Sequence, residues 1–199
     1  MLDNHNEMLK SNYEAVKKNI KAACERSGRD KSEVCLIAVS KTKPQEDIMQ
    51  IYECGEHQFG ENYVQEMVDK VDALPKDIVW HMIGHLQRNK VKYVVGRASM
   101  IHSVDSLRLA EAVNQEAVKK GIVADILIEV NVAGELNKFG FKPEEVEAFV
   151  RAIASPSTVP LSLVMLSTVS AALLYFCTYS LNVNFKFEIS QVLLSGFSG

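Results

Sequence analysis

An excess of charge of either sign is missing from this chain: 22 lysines and arginines stand against 25 aspartates and glutamates, leaving −3 over 199 residues. No overall field is available to hold a polyanion or an anionic membrane surface, which argues against a nucleic-acid-binding protein. Cysteines are few and far apart. Cys24, Cys35, Cys54 and Cys177 contain no Cys-x-x-Cys pair, and the start Met1-Leu2-Asp3-Asn4-His5 has no basic segment leading into an apolar one. The expectation is a cytoplasmic protein with reduced thiols. With 47% hydrophobic and 24% charged residues, disordered, collagen-like and disulfide-scaffold classes are excluded, and one domain with a substantial core is expected.

Charge is also missing locally. Residues 1–154 carry 45 of the 47 charged side chains, whereas the 45 residues from Ser155 to Gly199 carry only Lys186 and Glu188. A uniform chain would place about eleven there. The break divides the sequence into a domain over 1–154 and a low-charge C-terminal tail over 155–199. Three explanations stand open: a buried part of the core, a membrane anchor, or a tail foreign to the rest of the chain.

Hydrophobic spacing supplies the elements. Leu9, Tyr13, Val16, Ile20 and Ala23 recur at helical steps between Glu7 and Ser27, ending at Gly28. Val34–Val39 is an unbroken apolar run of six, read as a strand covered on both faces and hence part of a parallel sheet. Pro44 opens a helix to Gly55; then come a short strand at Gln58-Phe59, a helix over Asn62–Ala73, a strand over Ile78–Ile83 and a helix over Leu86–Val95. A strand at Met100–Ser103, a helix over Ser106–Lys120, a strand over Asp125–Val132 and a helix opening at Pro143 complete five strand-helix units after one extra N-terminal helix.

Such alternation implies an α/β fold with a parallel sheet, either a closed TIM-type barrel or an open doubly wound sheet. A dinucleotide-binding sheet wants Gly-x-Gly-x-x-Gly after its first strand, and this turn reads Ser40-Lys41-Thr42-Lys43-Pro44. The barrel, with an extra N-terminal helix, is favoured. Functional groups of a parallel barrel stand at the C-terminal ends of its strands. Lys41 comes first there, with Lys43 two residues on, and a lysine in that position is a usable amine nucleophile toward an aldehyde.

Three motifs then stand in order: Ala38-Val39-Ser40-Lys41-Thr42-Lys43-Pro44, Phe59-Gly60-Glu61-Asn62-Tyr63-Val64-Gln65-Glu66, and Trp80-His81-Met82-Ile83-Gly84-His85-Leu86-Gln87-Arg88-Asn89-Lys90. Together with Ile101–Ser106, Glu129–Val132 and Asn137–Gly140 they resemble the pyridoxal-phosphate homeostasis protein family over roughly residues 8–153. The resemblance implies a barrel of the alanine-racemase N-terminal type that holds pyridoxal 5′-phosphate as a Schiff base on Lys41. It further implies a monomer. Asn62 matches a residue beside the cofactor, and Lys43 matches a second lysine concerned with cofactor exchange. His81, Ile83 and His85 alternate on one strand, so they can share a face toward the ring, and His81 and Ile83 are taken as cofactor-binding. No metal site is expected, because the histidines lack a His-Glu-x-x-His pattern and a third ligand is not evident. Arg88, Lys90, Lys92 and Arg97 read as a solvated helix face.

The resemblance stops near Ser155. The family continues with further strand-helix units carrying its phosphate-binding Ser-x-Gly-Met-Ser loop and an Arg-x-Gly turn, and neither occurs after Ser155. An incomplete barrel is therefore expected. Leu161–Val183 runs 23 residues without a formal charge, long enough for a bilayer of about 30 Å, but it is rich in serine and threonine and lacks a basic cluster after it. Three functions remain open: a protein that holds pyridoxal phosphate and delivers it to apoenzymes, a racemase-like enzyme using the same cofactor, or an inactive fragment.

Overall fold

The first helix, α1 (Leu2–Ser27), buries Tyr13 and Cys24 and stops where Gly28 takes the left-handed conformation (φ 66°) that glycine tolerates. Six strands follow among the described residues: β1 (Ala38–Val39), β2 (Gln58–Glu61), β3 (Val79–Met82), β4 (Met100–Val104), β5 (Ala124–Asn131) and β6 (Leu161–Thr168). Between them run α2 (Gln45–Glu53), α3 (Val64–Ala73), α4 (Val91–Val94), α5 (Leu107–Lys120) and α6 (Val146–Ile153). This computed structural model describes residues 2–135, 138–153 and 161–168, with side chains at 4–135 and 138–153.

The strands pair in sequence order, every neighbour parallel. Each strand therefore returns to its neighbour through a helix, the right-handed βαβ step that builds a barrel wall. Alternation along the strands sorts the side chains. Ala38, Phe59 and Trp80, paired in register, pack with Ile48 of α2 and with Leu74 and Ile78. Met82, Ile101, Ile126 and Ile128 pack with Met67, Val94, Leu109, Ala110, Val113 and Phe149 from the helices. The core is thus the layer between sheet and helices, and Gly60, His81 and His102 fall on the opposite face.

Two elements differ from the sequence reading. Of the Val34–Val39 run, strand β1 takes in Ala38 and Val39. The Gln58 amide, which faces β1 at the start of β2, donates to Glu56 Oε1 (2.8 Å) instead of extending the ladder toward that run. The expected Leu86–Val95 helix is a 3-10 turn over Arg88–Lys90 followed by the single turn of α4, closed by Gly96 at φ 82°. Arg88, Lys90, Lys92 and Arg97 are exposed there.

The expected domain boundary at 154/155 falls outside the described residues, as do Asn137, Cys177 and the end of the uncharged run beyond 168. The beginning of that run is β6, which pairs with β5 over eight residues from Ala124↔Leu161 to Asn131↔Thr168. Among the described residues no helix is long and apolar enough to cross a membrane.

Ile101, 2% exposed in the main core, tests the layer assignment. Ile101→Ala is expected to cost about 2–5 kcal/mol in chemical denaturation, and Val123→Ala, at a residue 60% exposed, less than about 0.5.

Candidate functional site

The loop after β1 is fastened to its neighbours by one buried ammonium. Lys70 of α3 donates to Glu61 Oε1 (2.7 Å), to Glu66 Oε1 (2.8 Å) and to the Ser40 carbonyl (2.8 Å). An ammonium has three N–H groups, so all of its donors are used. Glu61, at the end of β2, is fully buried and also accepts from Ser40 Oγ (2.6 Å). Burial pushes its carboxyl pKa up, while the hydrogen bonds from Lys70 and Ser40 pull it down. Glu66 Oε1 takes in addition the Thr42 amide (2.7 Å). Thr42 is held at φ 61°, where a β-branched residue is strained, and Lys43 N closes the turn on Ser40 O (3.0 Å).

Lys41 sits inside this clamp. Ser40 points to the helix side, so alternation turns Lys41, half-buried, to the opposite face. The register Val39↔Gly60↔His81, continued two residues, places Lys41, Asn62 and Ile83 in one layer at the C-terminal ends of β1, β2 and β3. The ladder does continue: Ile83 N donates to Glu61 O at 2.9 Å. A Cβ on Gly60 would meet Ile83 Cδ1 at 3.0 Å and Ile37 Cγ2 at 3.2 Å, so the glycine lets those two side chains close the floor of that layer. Gly84 is required for a similar reason, since a Cβ there would lie 2.6 Å from Asn62 Cα. Ser103 Oγ donates to the Gly84 carbonyl (2.6 Å), tying β4 to the same edge. Lys43 is exposed on the loop beyond the layer.

One layer deeper, His81 and His102 are buried. Gln58 Oε1 can only accept, so His81 Nε2 donates to it (2.8 Å), and His81 Nδ1 accepts from His102 Nε2 (2.9 Å). Burial pushes His81 down to about 4, and burial together with the neighbouring His81 pushes His102 down to about 3. Both rings are neutral at pH 7.

On the far rim, His85 Nδ1 lies 3.2 Å from Asp105 Oδ2 and its ring stacks on Phe139 at 4.0 Å. Glu129 is raised by burial and by Asp105, with His85 acting in the other direction. The 139–141 segment is strapped to β5 by Phe141 N to Glu129 O and Asn131 N to Phe141 O, each 2.8 Å. Among the described residues no group of three or more His, Cys, Asp or Glu is placed to hold a metal ion.

With this geometry in view, residues 11–177 match the model of the alanine racemase N-terminal domain. The chain belongs to that family. It is 45% identical over 150 residues to a pyridoxal phosphate homeostasis protein of Aquifex aeolicus, covering 74% of this chain and 66% of that one. With the protein of the same name from Escherichia coli K12 it shares 37% over 147 residues, 72% of this chain and 63% of the relative. The chain thus spans less than two thirds of the length of these relatives. Among solved structures, a protein of unknown function from Bifidobacterium adolescentis superposes with a TM-score of 0.74 at 31% identity over 84% of this chain and 73% of that one. PipY of Synechococcus elongatus, with pyridoxal phosphate bound, superposes at 0.59 and 33% identity over 77% and 73%. An alanine racemase of E. faecalis shares the fold alone, at TM-score 0.55 and 17% identity over 81% of this chain and 45% of that one.

Of the residues singled out from sequence, Lys41, Asn62 and Ile83 share a layer, His81 lies beneath it and Lys43 outside it. Lys70 and Glu66 escaped the sequence reading. Their signal was a lysine on the buried stripe of α3 between Met67 and Leu74, four residues after a glutamate.

Two outcomes are expected. Lys70→Met strands the buried Glu61 carboxylate and should cost about 3–5 kcal/mol in urea unfolding, with Lys70→Met/Glu61→Leu recovering most of it. As pH falls from 6.5, the unfolded chain takes up protons that folded His81 refuses until about 4 and folded His102 until about 3. Thermal melts should therefore show stability constant above 6.5 and falling through this window, with the slope reduced in His81→Leu/His102→Leu.

Proposed function

We infer that this protein binds pyridoxal 5′-phosphate through a Schiff base on Lys41 and takes part in its homeostasis, holding the cofactor and passing it to apoenzymes. The observation that carries this reading is a half-buried lysine at the end of β1, on a loop fixed by Lys70, Glu61 and Glu66 and level with Asn62 and Ile83. The residues fit the aldehyde and ring of such a group. Lys41 offers the amine for an aldehyde, Ile83 and Ile37 offer an apolar floor, and Gly60 and Gly84 let the strand ends close together around it.

When bound, pyridoxal phosphate supplies a reactive aldehyde on an electron-accepting ring. The chain's own residues then have separate tasks. Lys41 would supply the amine that holds the aldehyde carbon, Asn62 would offer its amide at the same level, and the row of His81 and His102 would support the floor from one layer below. Lys43, exposed on the same turn, assists exchange of the cofactor with the outside. Names and bound ligands of relatives at 45%, 37% and 33% identity support the same reading. The protein works as a monomer in the cytoplasm.

Mixing the protein with pyridoxal phosphate should produce absorbance near about 420 nm, as expected of a lysine Schiff base. Borohydride should abolish that absorbance and leave the added mass on the peptide containing Lys41. Lys41→Ala should abolish both signals, whereas Lys43→Ala should keep the modified peptide and slow the transfer of cofactor to an apoenzyme. Mass on another lysine would reject the assignment.

A further inference from the structure

The stretch from Ile78 to Val104 contains no aspartate or glutamate, in a chain that has 25 of them. Its four cations, Arg88, Lys90, Lys92 and Arg97, are all exposed, on the 3-10 turn, on α4 and just after it. Among the described residues none of the four has a carboxylate within ion-pair distance. Arg97 donates to the Tyr93 carbonyl (3.3 Å), and the Lys92 ammonium stands 4.9 Å from the centre of the Tyr93 ring. Tyr93 itself is 45% exposed, an aromatic ring among the cations.

The helices on either side do not cancel that charge. On one flank α5 carries Arg108, Lys119 and Lys120 against Glu111 and Glu116, and on the other α3 carries Glu66, Asp69 and Asp72 against Lys70. With every one of these counted, the three elements hold three net positive charges, so the rest of a chain at −3 holds six negative ones. The basic turn is also fixed in place. Lys120 Nζ donates to the Lys92 and Val95 carbonyls (2.9 and 2.7 Å), closing the end of α4, and Glu116 lies 3.6 Å from both Lys119 and Lys120. Val91, Val94 and Val95 beneath it are buried in the main core. A partner therefore meets a backbone that is already ordered.

We propose that the α4 surface docks an acidic segment of a protein partner, with carboxylates against Arg88, Lys90, Lys92 and Arg97 and an apolar side chain on the Tyr93 ring. Complementarity sets the sign of the partner's charge. Two further features set its class. A nucleic acid or an anionic membrane carries its charge well beyond four side chains and would meet the negative remainder of the molecule. Tyrosine and arginine together are residue types favoured at the centres of protein interfaces. None of these residues belongs to the Lys41 layer, so docking does not depend on the cofactor.

The probe is a blocked peptide of repeated Glu-Glu-Leu, titrated into the full chain at low and high salt by calorimetry and by backbone amide shifts. A peptide of repeated Gln-Gln-Leu, an oligothymidylate of equal length and vesicles containing phosphatidylserine run in parallel. Saturable binding of the acidic peptide is expected, with shifts centred on α4 and its flanking turns, weakening as salt screens it. Arg88→Glu/Lys92→Glu should weaken it at least roughly tenfold, Arg88→Gln/Lys92→Gln by less, and Tyr93→Ala roughly threefold with the salt dependence unchanged. Lys18→Glu/Lys31→Glu makes the same charge change at exposed positions on and after α1. That pair should leave affinity within about twofold. Equal weakening by the Lys18 and Lys31 pair, equal binding of the uncharged peptide, shifts away from α4, or tighter binding of the oligonucleotide or the vesicles would each overturn the proposal.

Discussion

A single ammonium group decides where the lysine-bearing loop can be. Lys70 is buried, and a buried cation is tolerable only when its donors are all satisfied. Its three acceptors come from three places: the Ser40 carbonyl after β1, Glu61 at the end of β2 and Glu66 in its own helix. Satisfying that group therefore fixes the β1 end, the β2 end and α3 against one another. Thr42 is drawn into its left-handed conformation because Glu66 also accepts its amide. Local strain of the order of 1–2 kcal/mol at Thr42 is smaller than the cost of leaving a buried charge unpaired, so the network prevails and the loop takes the shape that presents Lys41.

The strand ends beyond the clamp follow the same economy of space. Where β2 and β3 approach, Gly60 and Gly84 give up their side chains so that Ile37, Ile83 and the Asn62 backbone can close in. The layer that holds Lys41, Asn62 and Ile83 thus rests on backbone contact and register more than on side-chain hydrogen bonds. Polar pairing resumes below it, in the histidine row, and beyond it, where His85, Asp105 and Phe139 meet.

Much of this was legible in the sequence. The steps of Leu9, Tyr13, Val16 and Ile20 give α1, and the alternation of apolar runs with helical stripes gives a parallel sheet with helices on one face. Lys41 stands out in the sequence because it lies just past the apolar run that ends at Val39. The extent of β1 was not legible, because pairing depends on a partner: the carboxylate of Glu56 takes the Gln58 amide that faces that run. Lys70 falls on the buried stripe of α3, but its partner Glu61, nine residues away and on another element, is identified only by the fold. The contact between His81 and His102 arises from the register of two neighbouring strands, which periodicity alone does not fix. The low charge after Ser155 is consistent for Leu161–Thr168 with a strand paired to β5 along its whole length.

The orientation of the histidine row has a consequence for charge movement. His102 donates to His81, and His81 donates to the carbonyl oxygen of Gln58. Every donor in that sequence faces the same way, and it terminates on an amide, which is too weak a base to accept a proton. A proton can hop from His102 to His81 along the existing hydrogen bond, but it cannot leave on the Gln58 side. The row is thus a dead end for charge on the β2 side, able to shuttle a proton between two rings but not to pass it across the sheet.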